Sequence, residues 1–267
     1  MLTPAQIVEF QSQGYLRGAK VLSDEQVETL RSEIERVIAE RDRTDIPQPV
    51  LCHNFTHDEN APVWQIVNIW EASPAFKDLI RNPQICEEMA QLTGANELRI
   101  WHDQIQYKPA SRGGVNMWHQ DAPLWPIIQP MTEVTAWVAL DDVDVDNGCM
   151  SMVPGSHLWG DHMNYLREWK DFVNDVPSDF QGHKVEVKKC PVKKGEVHFH
   201  HSLTWHGSHA NTSGRPRRAI ALHFMTGETR YFESGEHPMK QFVTVEDGEI
   251  LTGEHFPLVW NKDAVPA

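Results

Sequence analysis

Cysteine is scarce in this sequence, and basic residues are outnumbered. The four cysteines, Cys52, Cys86, Cys149 and Cys190, stand far apart with no C-x-x-C pair. That excludes a zinc-thiolate site and a small disulfide scaffold, and it predicts a reducing, cytoplasmic setting. Lys and Arg number 24 against 38 Asp and Glu, for a formal net charge of −14. A chain so acidic lacks the clustered cations that nucleic acid or an anionic membrane surface requires. No apolar run approaches the roughly 18 residues of a membrane helix, and Met1 to Phe10 has neither a basic region nor an apolar stretch. Repeats, low-complexity tracts and a linker-like Pro/Gly cluster are also missing. The expected partner is therefore a small molecule. Nothing in the sequence speaks to oligomeric state.

What is present suits a large core: 40% hydrophobic residues, with ten Trp and ten Phe in 267 positions. One domain over 1–267 is expected, with residues 1–95 mainly helical, a β core over 96–235 and a C-terminal extension over 236–267. Thr3-Pro4-Ala5-Gln6 and Ser23-Asp24-Glu25-Gln26 each place a capping residue three before a Gln, which predicts two early helices. In the second, Val27, Leu30, Ile34, Val37 and Ile38 recur at helical spacing against a charged face. A further helical stretch covers Pro74 to Leu92, interrupted at Pro83.

From Glu97 the period becomes two. Leu98, Ile100, Ile105 and Tyr107, then Val134 to Leu140, Val185 with Val187, and Val197 to His200 read as strands. Ile220, Leu222 and Phe224 point one way, and Ala219, Ala221 and His223 the other. Helices followed by strands with Gly and Pro at the corners predict an α+β, mainly β protein, an antiparallel sandwich or barrel backed by the early helices.

His119-Gln120-Asp121 places a His and an Asp two apart, where one strand face would aim both at one point. With fifteen His in the chain, about one such triplet is expected by chance. A second cluster raises its weight: His206-Gly207-Ser208, followed by Arg217. If Asn211 to Gly214 is the turn of a hairpin, His206 and Arg217 face each other across it. Arg217 also shares strand parity with the small Ala219 and Ala221, leaving room for a ligand. Two His and one carboxylate leave metal positions open, as in non-haem Fe(II) oxygenases, and an Arg fork suits a dicarboxylate.

The sequence resembles the phytanoyl-CoA dioxygenase family of Fe(II)/2-oxoglutarate oxygenases. The likeness is carried by the Thr3 to Gly14 helix with Val21-Leu22-Ser23, Tyr107-Lys108-Pro109, Trp118 to Asp121, Trp137 to Asp142, Asn147-Gly148-Cys149, Pro154 to His157, and His206 to Arg217. It implies a double-stranded β-helix (jelly-roll, cupin-like) core with the N-terminal helices packed against it. It further implies Fe(II), the co-substrate 2-oxoglutarate and O2. On that resemblance His119, Asp121 and His206 look like iron ligands and Arg217 like the partner of the distal 2-oxoglutarate carboxylate. Trp137, Ser208, Gln104 and Gln120 fall where family members contact the co-substrate. Family halogenases carry a small residue in place of Asp121, so its presence favours hydroxylation.

Competing readings apply to the other conspicuous residues. His198, His200, His201 and His209 crowd the second cluster, but only His206 has both the Gly-Ser after it and the Arg eleven positions on. His102, His157 and His223 read as core or turn histidines. Asp142 to Gly148 fails as an EF-hand, because Val153 stands where a bidentate Glu is required. Lys188, Lys189, Lys193 and Lys194 read as the charged edge of a hairpin. Trp64, Trp70 and Trp101 suit the core, whereas Met117, Trp118, Trp125 and Trp205 flank the ligand motifs and are expected to wall a substrate pocket. The segment 158–184 is longer than an ordinary connection and is expected to form a lid.

The expected activity is hydroxylation of an unactivated C–H bond of a small organic metabolite, with release of succinate and CO2. Desaturation, cyclisation, epimerisation or oxidative cleavage on the same iron centre is one alternative. A cupin-like metal- or ligand-binding protein without oxygenase activity is another. No motif names the substrate.

Overall fold

The computed structural model describes residues 1–111 and 113–264. Twelve strands build two facing antiparallel sheets: β1 (Tyr15–Lys20), β2 (Leu51–Asn54), β3 (Trp64–Val67), β4 (Glu97–Lys108), β5 (Asn116–His119), β6 (Val134–Ala139), β7 (Met150–Met152), β8 (Lys188–Cys190), β9 (Glu196–His201), β10 (His206–Ser208), β11 (Arg217–Thr226) and β12 (Leu258–Asn261). The larger sheet runs β1-β9-β6-β11-β4-β3-β2, with β12 also paired to β4. The smaller runs β8-β7-β10-β5. This is the mainly β, jelly-roll architecture expected from the sequence.

Alternation along the central strands explains why the sheets close on each other. On one face of the larger sheet, Ile105, Val138, Phe199, Ile220 and Leu222 pack against helices α1 (Pro4–Gln13), α2 (Asp24–Ala39), α3 (Pro74–Leu79) and α4 (Pro83–Thr93). The capping boxes at Thr3/Gln6 and Ser23/Gln26 both form, and α2 turns Val27, Leu30, Ile34 and Val37 inward. Each such side chain contributes about 1.5–3 kcal/mol by leaving water. Gly14 ends α1 at φ 77°, and a Cβ there would lie 2.4 Å from His157 Nδ1, so the chain can enter β1 only through glycine. On the other face Trp137, Ala139, Ala219 and Ala221 meet Cys149, Met150 and Met152 of the smaller sheet.

Two local expectations change. Val185 and Val187 lie outside any strand, between the short His183–Lys184 pairing and the strand that starts at Lys188. His206 and Arg217 do not face each other across a hairpin: β10 pairs with β5 and β7 in the smaller sheet, whereas β11 pairs with β4 and β6 in the larger. The intervening residues cross from one layer to the other, because Asn211 bonds to Lys108, Pro109 and Arg215 carbonyls rather than closing a two-stranded turn. The 236–267 stretch contributes β12 and buries Met239, Leu251 and Phe256 against Trp101 and Trp125. Its residues 265–267 lie outside the described residues.

Candidate metal centre

Strand β5 brings His119 to the inner surface and then stops. Asp121 has helical backbone angles (φ −75°, ψ −52°) and opens a 3-10 turn over Ala122–Leu124. The amides of Asp121 and Ala122 both donate to the Ser202 carbonyl, at 2.8 and 3.2 Å, and so pin this turn. His119 and Asp121 thus converge because the strand ends between them, not because they share one strand face. His206 is the cross-strand partner of His119, and their ring centroids are 4.1 Å apart. The Nε2 atoms of His119 and His206 lie 3.5 and 3.6 Å from the same oxygen, Asp121 Oδ1. One ligand atom from each residue fits within 4.8 Å of the others.

The remaining atoms of the three side chains are engaged elsewhere. His119 Nδ1 contacts the Met117 carbonyl at 2.7 Å and His206 Nδ1 the Thr204 carbonyl at 2.9 Å, which turns both Nε2 lone pairs to the common point. Asp121 Oδ2 lies 3.4 Å from His200 Nε2 and accepts from Thr135 Oγ1 at 3.4 Å. Burial raises the Asp121 pKa, but His206, His119 and His200 together override it and hold the carboxyl well below its usual range. Burial and the neighbouring His119 push His206 well below the ordinary histidine value, favouring the neutral imidazole that binds metals. This donor set, two imidazoles and one carboxylate, suits a divalent transition metal with open coordination positions.

The triad lines a cavity of about 630 Å³. Arg217 also reaches it and is fully buried, with Nε and both Nη atoms lacking any hydrogen-bond partner. Burial lowers its pKa to about 10, and its guanidinium carbon lies 4.9 Å above the Trp137 ring. Beside it on β4, opposite in register, Lys108 is equally buried and donates to Ser208 Oγ at 2.7 Å and to the Ser208 and His209 carbonyls. Burial, then the nearby Arg217 charge, depresses the Lys108 pKa strongly. Lys108 is thus satisfied by its three oxygen acceptors, whereas the buried Arg217 guanidinium, with no partner among the described residues, forms a site that an anion would satisfy.

The other sequence-selected residues divide. Trp137, Ser208 and Gln104 line the cavity, and Gln104 Oε1 accepts from Gln65 Nε2 at 3.0 Å. Gln120 does not: it is fully buried, donates to the Gly160 and Leu203 carbonyls and accepts from the His162 amide. Standing one residue after His119, it points to the opposite side of the strand. Met117, Trp118 and Trp125 line the cavity, but Trp205 does not. Its indole is fully buried in a cluster with Leu166, Trp169, Phe172 and Phe180. That cluster anchors the 158–184 segment, whose Met163, Leu166 and Trp169 also form part of the cavity wall.

Sequence reasoning passed over His200, Thr135, His223 and Lys108. His200, Thr135 and His223 stand side by side across β9, β6 and β11, and His223 Nδ1 meets Thr135 Oγ1 at 2.7 Å. A signal existed: Val197 and Phe199 alternate with His198 and His200, so both histidines had to face the inner side.

Comparison with known proteins agrees with this geometry. The profile of the Phytanoyl-CoA dioxygenase (PhyH) family matches residues 10–219. The peroxisomal phytanoyl-CoA dioxygenase of Bos taurus is 25% identical over 232 residues, covering 84% of this chain and 68% of its own. The ectoine dioxygenase of Bordetella parapertussis is 24% identical over 287 residues, covering 99% and 87%. Among solved structures, the non-heme alpha ketoglutarate dependent carbocyclase SnoK from nogalamycin biosynthesis superposes with a TM-score of 0.79 at 28% identity, covering 97% of each chain. The match to residues 10–219 takes in the whole smaller sheet, most of the larger one and every residue of the triad, and the chain belongs to the phytanoyl-CoA dioxygenase family.

Proposed function

We propose that this chain is an Fe(II)- and 2-oxoglutarate-dependent oxygenase that hydroxylates a C–H bond of a small organic metabolite. The observation that carries the proposal is one cavity holding both a His119/Asp121/His206 cluster and a fully buried, unpartnered Arg217. In this reading His119, Asp121 and His206 hold the metal. Arg217 receives the distal carboxylate of 2-oxoglutarate through charge-assisted hydrogen bonds. Ferrous iron with 2-oxoglutarate and O2 supplies an oxidant strong enough to attack an unactivated C–H bond, releasing succinate and CO2.

The chain's own residues do the rest. Thr135 and His200 fix the second oxygen of Asp121 and leave Oδ1 for the metal. The Met117 and Thr204 carbonyls hold the two histidines in the tautomer that presents Nε2. Trp137 packs under Arg217 and keeps water from its guanidinium. Met163, Leu166 and Trp169 of the 158–184 segment roof the cavity and exclude solvent from the reacting centre, the role of a lid.

A second outcome, intramolecular ring closure, has support of its own in the likeness to the carbocyclase SnoK across 97% of the chain. The test is succinate formation by anaerobically Fe(II)-loaded protein screened against pools of small metabolites, with Asp121→Ala as the inactive control. Mass spectrometry then separates the outcomes: hydroxylation adds one oxygen, ring closure removes two hydrogens. No succinate with or without any pool, and unaltered 2-oxoglutarate binding in Arg217→Ala, would leave a binding protein instead.

A further inference from the structure

The charged residues lining the cavity run against the composition of the chain. With 38 acidic residues against 24 basic, the lining nonetheless holds one carboxylate, Asp121, and three cations, Arg167, Lys170 and Arg217. Asp121 and Arg217 belong to the metal and co-substrate end. Arg167 and Lys170 remain, three residues apart on the turn that follows the short helix Met163–Leu166, both exposed at the cavity's edge.

Acidic neighbours are close in sequence but turn away. Asp175 accepts from the backbone amides of Lys170 and Asp171, and Asp171 accepts from those of Val173 and Asn174. Among the described residues Lys170 Nζ reaches only the Arg167 carbonyl, at 3.0 Å. Among the described residues neither cation forms an ion pair, although Glu168, Asp171 and Asp175 flank them. Two like charges at this spacing repel, and a bound anion relieves both at once. Besides the polar Gln65, Gln104, Gln106 and Asn116, the lining is largely apolar, with Met117, Leu124, Trp125, Leu166 and Trp169, and with Phe55 and Val115 exposed.

We propose that Arg167 and Lys170 form the substrate's anion site, so that the substrate is an apolar molecule carrying one carboxylate or phosphate group. Its apolar body lies along Trp125 and Met117 toward the metal cluster, and its anion stays at the edge, on the segment that roofs the cavity. The inference deepens the oxygenase reading and rests on it for which bond is attacked. Binding itself can be measured separately.

The experiment uses full-length protein loaded anaerobically with Fe(II) and saturating 2-oxoglutarate, so that Arg217 is occupied. Binding of 2-naphthoate, 2-naphthyl phosphate and 2-naphthamide is followed by tryptophan fluorescence and calorimetry, in wild type and in Arg167→Gln/Lys170→Gln. The expected result is that one or both anions bind about fivefold more tightly than the amide at low salt. The preference should shrink as salt screens it and vanish in the double variant, whose thermal unfolding midpoint stays at the wild-type value. The better of the two anions tells carboxylate from phosphate. Equal binding of all three probes by wild type overturns the proposal, as does an anion preference that survives the double substitution. Preferential binding together with no succinate from any metabolite pool under Fe(II), 2-oxoglutarate and O2 instead overturns the oxygenase reading and leaves the anion site standing.

Discussion

Replacing Arg217 with Met should stabilise the ligand-free protein while destroying its response to 2-oxoglutarate. The guanidinium is fully buried, and none of its three nitrogens has a partner. What offsets this is the Trp137 ring at 4.9 Å, a contact that contributes about 0.5–2 kcal/mol. Exchanging a buried charge for an apolar side chain of similar length is typically neutral or stabilising by about 1–4 kcal/mol. With 2-oxoglutarate at about 100 times its Kd, wild type should gain about 2.7 kcal/mol. Losing one partner of a buried charge pair costs about 3 kcal/mol, raising the Kd roughly 150-fold. At the same 2-oxoglutarate concentration the variant should then gain only about 0.3 kcal/mol. Urea unfolding of Fe(II)-loaded protein, with and without 2-oxoglutarate under nitrogen, measures both quantities. A variant destabilised by more than about 2 kcal/mol without ligand would mean that Arg217 is a structural member of the core. One that keeps the full ligand gain would remove it from the co-substrate site.

Three further outcomes follow from contacts described above. His200→Phe, which keeps the ring but removes the group facing Asp121 Oδ2, should weaken Fe(II) binding by about tenfold in a metal titration, with His200→Gln retaining most of the affinity; equal affinities in all three would contradict the positioning role. Gln120→Leu should lower the unfolding free energy by about 2 kcal/mol or more, since the Gly160 and Leu203 carbonyls and the His162 amide all lose their partner, and leave the KM for 2-oxoglutarate unchanged. Burial pushes the Glu133 carboxyl up to about 8, so the folded protein binds a proton there that the unfolded chain has lost. That contribution is present at acidic pH and is lost as pH rises through about 8; Glu133→Gln should flatten this part of the decline in stability between pH 5 and 8, and an unchanged slope would refute it.

Most of the helical layer was legible because its signals are local. Capping boxes at Thr3 and Ser23 and the apolar stripe of α2 depend on residues a few positions apart, and they reappear unchanged. The strand alternation at Ile220, Leu222 and Phe224 gave the correct inner and outer faces for the same reason. What failed depended on which strand lies next to which. The hairpin drawn through Asn211 to Gly214 assumed that neighbours in sequence pair in space, whereas the bonds of Asn211 carry the chain across to the other layer. Gln120 was misplaced because proximity in sequence to His119 says nothing about which side of a strand a residue occupies. Trp205 was misplaced because an aromatic beside a ligand motif serves equally well as the floor under a covering segment. Lys108 escaped notice because a lysine in a polar strand looks solvated until its three carbonyl and hydroxyl acceptors are seen.

The crossing of residues 209–216 between layers has a consequence for molecular length. His206 belongs to the smaller sheet and Arg217 to the larger, so the span from the metal cluster to the proposed carboxylate anchor is set by the gap between two packed layers. Such layers stand about 10 Å apart and resist compression, because interdigitated side chains hold them. A hinge could adapt to acids of several lengths; a fixed gap cannot. In the oxygenase reading proposed above, the fold would thus favour dicarboxylates of one length over shorter or longer ones.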